Sequence, residues 1–126
     1  MVGIVIVSHS ELLAKGVADA TRIMADGCSI ACAGGDDSGG YGTSYDKIKS
    51  AVLSVAKEDG AVILMDMGSA VMTTEMVLEE IGRSDIIMVD CPIAEGAISA
   101  SLTSISGGSL NEVAEEAKNV SGVPKW

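Results

Sequence analysis

A three-layer α/β/α fold with a mainly parallel sheet is predicted by three observations. Short, continuous runs of apolar and β-branched residues recur along the chain, at GIVIVS (3–8), CSIACA (28–33), AVILM (61–65) and DIIMVDCP (85–92). Such runs are the mark of strands buried on both faces. Each run is followed by a longer segment with apolar residues at helical spacing. The junctions carry serines that cap helices and glycines that turn the chain. Strand and helix alternating in this way give a parallel sheet covered by helices.

In chain order, Gly3–Ser8 makes the first strand and Ser10 caps the helix that follows, SELLAKGVADATRIMAD. Leu13, Val17, Ala20 and Met24 mark one stripe of this helix, and Gly27 stops it. The second strand covers 28–33. GGDDSGGYG (34–42) is a loop on its glycine content. Thr43 and Asp46 have capping-box spacing at the head of the second helix, whose buried face is Ile48, Val52 and Val55. Ala61–Met65 is the third strand; Asp66 ends it, Gly68 turns and Ser69 caps VMTTEMVLEEIG, which Gly82 closes. The fourth strand ends at Pro92. IAEGAISASLTSIS is a helix rich in small residues, and Ser109 with Glu112 is a capping box for the last helix, LNEVAEEAKNV.

With right-handed crossovers and so few strands, the expected strand order is the flavodoxin-like 2-1-3-4. In that order the chain reverses direction between strands 1 and 3, and chemistry sits above their carboxyl ends. His9, the only histidine, leaves the end of strand 1, and Asp66 leaves the end of strand 3. The fold makes neighbours of two residues 57 positions apart (66 − 9). A carboxylate beside an imidazole fixes its tautomer and turns the other nitrogen's lone pair outward. Without a second histidine, a nucleophilic serine motif or a metal cluster, attack on a phosphoryl group is the simplest use of that lone pair. The helix starts at Ser10 and at Gly68–Ser69, and the loop end at Gly42–Thr43, offer groups to hold phosphoryl oxygens. Each feature also has a plain structural reading. A lone histidine is often a surface residue, Asp66 can be a helix cap, and loop glycines can be turn residues. Met65, Met67, Met72 and Met76 are expected to fill the core.

Composition narrows the partners. The 126 residues, 48% of them hydrophobic, suit one domain. Eight Lys and Arg against 18 Asp and Glu give a net charge of −10. That balance argues against nucleic acid and against anionic membranes, and suits protein partners with basic faces. The start MVGIVIVSH has no cationic residue and too short an apolar run for a signal peptide or spanning helix, so a cytoplasmic location is expected. Cys28, Cys32 and Cys91 are expected to be reduced, buried thiols, with no CxxC or His–Cys cluster to suggest metal. No nucleotide-binding motif is present, and no cofactor is expected.

IVIVSHS, MDMGSA and CPIAEG together resemble the N-terminal domain of the phosphotransferase subunit of PEP-dependent dihydroxyacetone kinase. That domain is similar to the mannose-family EIIA proteins of the bacterial sugar phosphotransferase system. The resemblance covers residues 1–120 and leaves 121–126 (SGVPKW) as a tail. It implies that His9 accepts phosphate from the carrier HPr, that Asp66 interacts with its imidazole, and that the fold is a dimeric α/β domain. It also implies that the next acceptor is ADP held on the nucleotide-binding kinase subunit. Some members continue into HPr-like and EI-like domains; here those functions are expected from separate proteins. The small residues Ala94, Gly96, Ala97, Ala100, Ser101 and Ser104 on helix 93–105 allow either a second copy or the chain's own sheet to approach closely. Together with the resemblance they make a homodimer the expectation. The rival readings are a sugar EIIA serving an EIIB, and a flavodoxin-like binding module without catalysis. A phospho-aspartate receiver would need an acidic pair after strand 1 and a later lysine. A phosphoglycerate-mutase-like hydrolase would need an arginine before His9 and a second histidine.

Overall fold

Strand β1 (Gly3–Ser8) is buried at every residue, which explains its uniformly apolar sequence. In the computed structural model, which describes all 126 residues, it is a central strand of a four-stranded sheet. The others are β2 (Ile30–Gly34), β3 (Ala61–Met65) and β4 (Ile86–Val89). The order is β2-β1-β3-β4 and every pairing is parallel, as expected from the sequence. The helices are α1 (Glu11–Met24), α2 (Tyr45–Val55), α3 (Ser69–Ile81), α4 (Ile93–Ile105) and α5 (Leu110–Asn119).

Period-two alternation sends successive strand residues to opposite faces. Ile4 and Ile6 of β1, with Val62 and Leu64 of β3, pack on Ala14, Val17 and Ala18 of α1, Ala97 and Ala100 of α4, and Val113 and Ala117 of α5. Val5, Val7 and Ile63 face the other way, onto Ile48, Val52 and Val55 of α2 and Ala70 and Val77 of α3. These two cores make the three layers.

Several expectations need correction. The buried stripe of α1 is Ala14, Val17, Ala18 and Thr21; Leu13, Ala20 and Met24 face outward. Small residues let α1 lie close to the sheet and α4, and the larger apolar residues are displaced to the surface. On α4, Gly96, Ala97, Ala100, Ser101 and Ser104 are buried against the chain's own core, and of the six small residues only Ala94 is exposed to a second copy. A Cβ on Gly96 would meet Cys91 Sγ at 2.4 Å, and Ser104 Oγ donates to Val2 O at 2.6 Å. Met65 does pack on the core, but Met67, Met72 and Met76 are exposed. Cys28 and Cys32 are half-buried and only Cys91 is buried; all three thiols are free. Burial raises Cys32, and pushes Cys91 up to about 11 with help from Asp90 and Glu95, so neither is an activated nucleophile. The second helix is capped by Ser44, one residue after Thr43, through Lys47 N–H. After α5 a short 3-10 turn (Val120–Gly122) leads into an extended tail, where Lys125 pairs with Glu95. No helix is long and apolar enough to cross a membrane.

Candidate active site

Parallel pairing of β1 with β3 sets Val7 opposite Met65, and the ladder continues one step as the Asp66 amide donates to Val7 O at 3.2 Å. The strand ends therefore deliver His9 and Asp66 side by side. Asp66 Oδ1 lies 3.0 Å from His9 Nδ1. Oδ2 accepts from the His9 amide at 2.9 Å and from the Ser8 hydroxyl at 2.9 Å, and Oδ1 also takes the Met67 amide at 2.7 Å. Burial pushes this carboxyl upward, but those four donors outweigh it and hold its pKa below the ordinary value. Asp66 is thus a fixed carboxylate, 10% exposed at its side chain, beside an imidazole that is 26% exposed.

The outer ring nitrogen, His9 Nε2, lies 2.7 Å from Ser69 Oγ. Ser69 is the first residue of α3. Its cap is Gly68 rather than Ser69 itself, with φ +49 and no side-chain cap bond. A positive φ of this kind favours glycine, which turns the chain from strand into helix within three residues of Asp66. The backbone amides of Gly68 and Ser69 make no bond within the protein. They stand at a helix N-terminus beside Nε2, where a phosphoryl oxygen is favoured.

The other residues proposed to cradle phosphate are near but already engaged. Ser10 caps α1 through Leu13 N–H, and its own amide donates to Ser8 Oγ at 3.0 Å. The Gly42 amide donates to His9 O at 3.0 Å, so the glycine loop grips the histidine's backbone. Thr43 Oγ1 lies 3.0 Å from Thr73 Oγ1 and ties the loop to α3. Asp36 organises the loop by accepting from the Ser38 and Gly40 amides, and Lys47 Nζ holds it through Gly34 O and Asp36 O. Gly34 is needed where the loop leaves β2, because a Cβ would lie 2.6 Å from Ser10 O and Glu11 Cα. No lysine or arginine bonds to His9, Asp66 or Ser69.

Sequence reasoning passed over Ser8 and Thr73. A serine, buried to 1%, at the end of a strand otherwise built from Gly, Ile and Val was the available signal for Ser8. Thr73 meets Thr43 only through the fold, and nothing local marks it.

Residues 3–117 match the EIIA-man family, described as the PTS system fructose IIA component. Among curated proteins, phosphoryl donor subunit DhaM of PEP-dependent dihydroxyacetone kinase 1 from Listeria innocua is 44% identical over 95 residues, covering 75% of each chain. Phosphotransferase subunit DhaM of the PTS-dependent dihydroxyacetone kinase from Lactococcus lactis is 32% identical over 114 residues, covering 90% of this chain and 91% of its own. Phosphoryl donor subunit DhaM from Escherichia coli is 37% identical over 120 residues, covering 90% of this chain and 25% of its own. The chain spans about a quarter of the length of that relative and of the one from Klebsiella michiganensis. A crystal structure described as a protein of unknown function superposes with a TM-score of 0.85 at 24% identity, covering 100% of this chain and 99% of that one, and supports the fold. With the family match running over nearly all of the sheet and helices, the chain belongs to the EIIA-man family of phosphotransferase-system IIA components.

Proposed function

We propose that residues 1–120 form a phosphohistidine carrier domain that takes a phosphoryl group from HPr on His9 and passes it to ADP bound on the nucleotide-binding subunit of a dihydroxyacetone kinase. The observation that carries this reading is the His9 ring, held at Nδ1 by a carboxylate and presenting Nε2 at the rim. The relatives described as phosphoryl donor subunits of dihydroxyacetone kinase favour this acceptor over a sugar-specific EIIB.

In this mechanism Nδ1 keeps its proton and directs it in a hydrogen bond to Asp66 Oδ1. The Nε2 lone pair attacks phosphorus in line, and the N–P bond to the donor's imidazole breaks as the new one forms. Ser69 Oγ swings off the lone pair and donates to a phosphoryl oxygen. The amides of Gly68 and Ser69 hold the others, so charge is stabilised by dipoles already in place. The phosphorylated ring, still protonated at Nδ1, is formally cationic, and Asp66 balances it. Onward transfer breaks the N–P bond and returns a neutral ring; no proton has to move in either direction. The carrier contributes no cation of its own, so the partners supply the cations or metal that neutralise the travelling group.

The carrier is proposed to work in the cytoplasm as a homodimer. β4 pairs on one side only, and an unpaired strand edge invites a second chain. The test of function is to load the protein from PEP, EI and HPr, then add free Mg·ADP or ADP-loaded kinase subunit. ATP formed only with the subunit supports the reading. ATP formed from free Mg·ADP, or transfer confined to an EIIB, refutes it.

A further inference from the structure

Two threonine hydroxyls outside the reactive pair close a ring of contacts around His9. Asp66 Oδ2 accepts the His9 amide and Oδ1 faces Nδ1, while Gly42 donates its amide to His9 O at 3.0 Å. Ser69 Oγ meets Nε2 at 2.7 Å. Thr73 is i+4 from Ser69 on α3, so the two side chains lie on one helix face, one turn apart. Thr43 follows Gly42, and its Oγ1 lies 3.0 Å from Thr73 Oγ1. The circuit runs from the ring through Ser69, one turn of α3, Thr73, Thr43 and Gly42, and back to the carbonyl of His9. Both threonines are half-buried, and each hydroxyl bonds within the protein only to the other.

The reaction makes this circuit matter at one moment. Ser69 must leave the lone pair before Nε2 can attack phosphorus, so the side-chain contact that joins α3 to the ring is broken just when alignment counts. Gly68 gives α3 no side-chain cap bond, and the amides of Gly68 and Ser69 have no partner within the protein. Ala70 and Val77 hold the helix on the sheet through apolar contacts, which are not directional. A hydrogen bond is directional, and the one at Thr73 stands one turn behind the amides that receive the phosphoryl oxygens. Transfer rates at such sites respond to displacements of about 1 Å.

Resting on the carrier reading above, we propose that Thr43 and Thr73 are positioning residues for phosphoryl transfer. Their hydroxyl pair keeps the head of α3 in register with the His9 ring while Ser69 turns from Nε2 to the phosphoryl group. Neither threonine bonds to His9 or Asp66; they act through Gly42 and Ser69. Thr43 thus serves the frame around the phosphoryl group and not the group itself.

The test compares Thr43→Val, Thr73→Val, the double variant and Thr73→Ser with Tyr45→Phe, which removes another side-chain bond onto α3, to Glu80 near its other end. Valine keeps the shape of threonine without the hydroxyl, and urea unfolding shows what fraction of each variant is folded. Phosphorylation of His9 is followed by rapid quench against the concentration of phosphorylated HPr. Each valine variant should lower the saturating rate about three- to tenfold, the effect of one neutral hydrogen bond, with the half-saturating concentration unchanged. The double variant should be no slower than the singles, because the bridge breaks only once. Thr73→Ser and Tyr45→Phe should match wild type. The ring of the only histidine gives a second reading by nitrogen NMR. In both valine variants the Nε2 signal should move toward its position in Ser69→Ala. An unchanged saturating rate, a loss confined to the half-saturating concentration, or additive losses in the double variant would overturn the proposal. So would a Thr73→Ser as slow as Thr73→Val, an equal loss in Tyr45→Phe, or an Nε2 signal that stays at its wild-type position. A wild-type protein that takes no label from phosphorylated HPr sinks the carrier reading itself, and the Nε2 signal still decides whether the bridge holds the Ser69 contact.

Discussion

Replacing Asp66 by Asn tests the tautomer argument with little change of shape. The Ser8 hydroxyl and the His9 amide both point at Oδ2, so the carbonyl oxygen of Asn belongs there. Its NH2 group then replaces Oδ1, opposite His9 Nδ1 and the Met67 amide. Facing a donor, Nδ1 must accept; the ring proton moves to Nε2, and no lone pair is left for phosphorus. In the native site the reactive tautomer is favoured by a hydrogen bond to a charged group, about 1.5–3 kcal/mol. In the variant the opposite tautomer gains a neutral bond of about 0.5–1.5 kcal/mol. The swing of about 2–4.5 kcal/mol shifts the tautomer ratio about 30- to 1,600-fold, at roughly 1.4 kcal/mol per factor of ten; because the reactive tautomer is nearly the whole population in the native site, its fraction falls about 3- to 14-fold. The Met67 amide facing an NH2 group costs about 1–3 kcal/mol of stability, within the roughly 5–15 kcal/mol a domain holds. Ser69 Oγ can donate to or accept from Nε2, so it does not rescue either tautomer. The assay is rapid-quench phosphorylation by phosphorylated HPr, with nitrogen NMR of the ring. Because His9 is the only histidine, isotope-labelled histidine gives one unambiguous ring signal. A variant as fast as wild type, or a wild-type ring with its proton on Nε2, would refute the reasoning.

Three further outcomes follow from the geometry. Ser8→Ala removes a donor that lowers the Asp66 pKa, so carboxyl titration by NMR should show that pKa rising toward the ordinary value. A depressed folded-state pKa contributes stability above the unfolded value that is lost as pH falls through the folded one, so the pH-dependent part of the variant's deficit should be full at neutral pH and close in acid. Gly68→Ala meets no atom within 4 Å but is strained at φ +49; it should cost about 1–2 kcal/mol in denaturant unfolding and slow phosphorylation by tilting the amides of α3. Gly96→Ala should cost about 1–3 kcal/mol by pressing on Cys91 Sγ, and a neutral result would contradict the packing of α4 on its own sheet.

The ends of β1 and β3 were legible because buried parallel strands are uniformly apolar and stop at a polar residue. Once the order 2-1-3-4 is chosen, the meeting of His9 with Asp66 follows from topology alone. The face of α1 was not legible. Periodicity weighs large apolar residues, and here alanines and a threonine face the core while Leu13 and Met24 do not. The methionines of α3 misled for the same reason: hydrophobicity marks what can be buried, whether by the chain itself or by a partner. Ser8 was readable as an anomaly in an apolar strand, but its partner Asp66 is 58 residues away and its role needs coordinates. The engagement of the Gly42 amide by His9 O likewise reverses its reading from phosphate cradle to backbone clamp.

The most direct test of the carrier assignment is to map the modification after incubation with PEP, EI and HPr. One acid-labile phosphoryl group per chain, at Nε2 of His9 and absent from His9→Ala, is the predicted result. No incorporation, attachment at Nδ1, or label persisting in His9→Ala would contradict it.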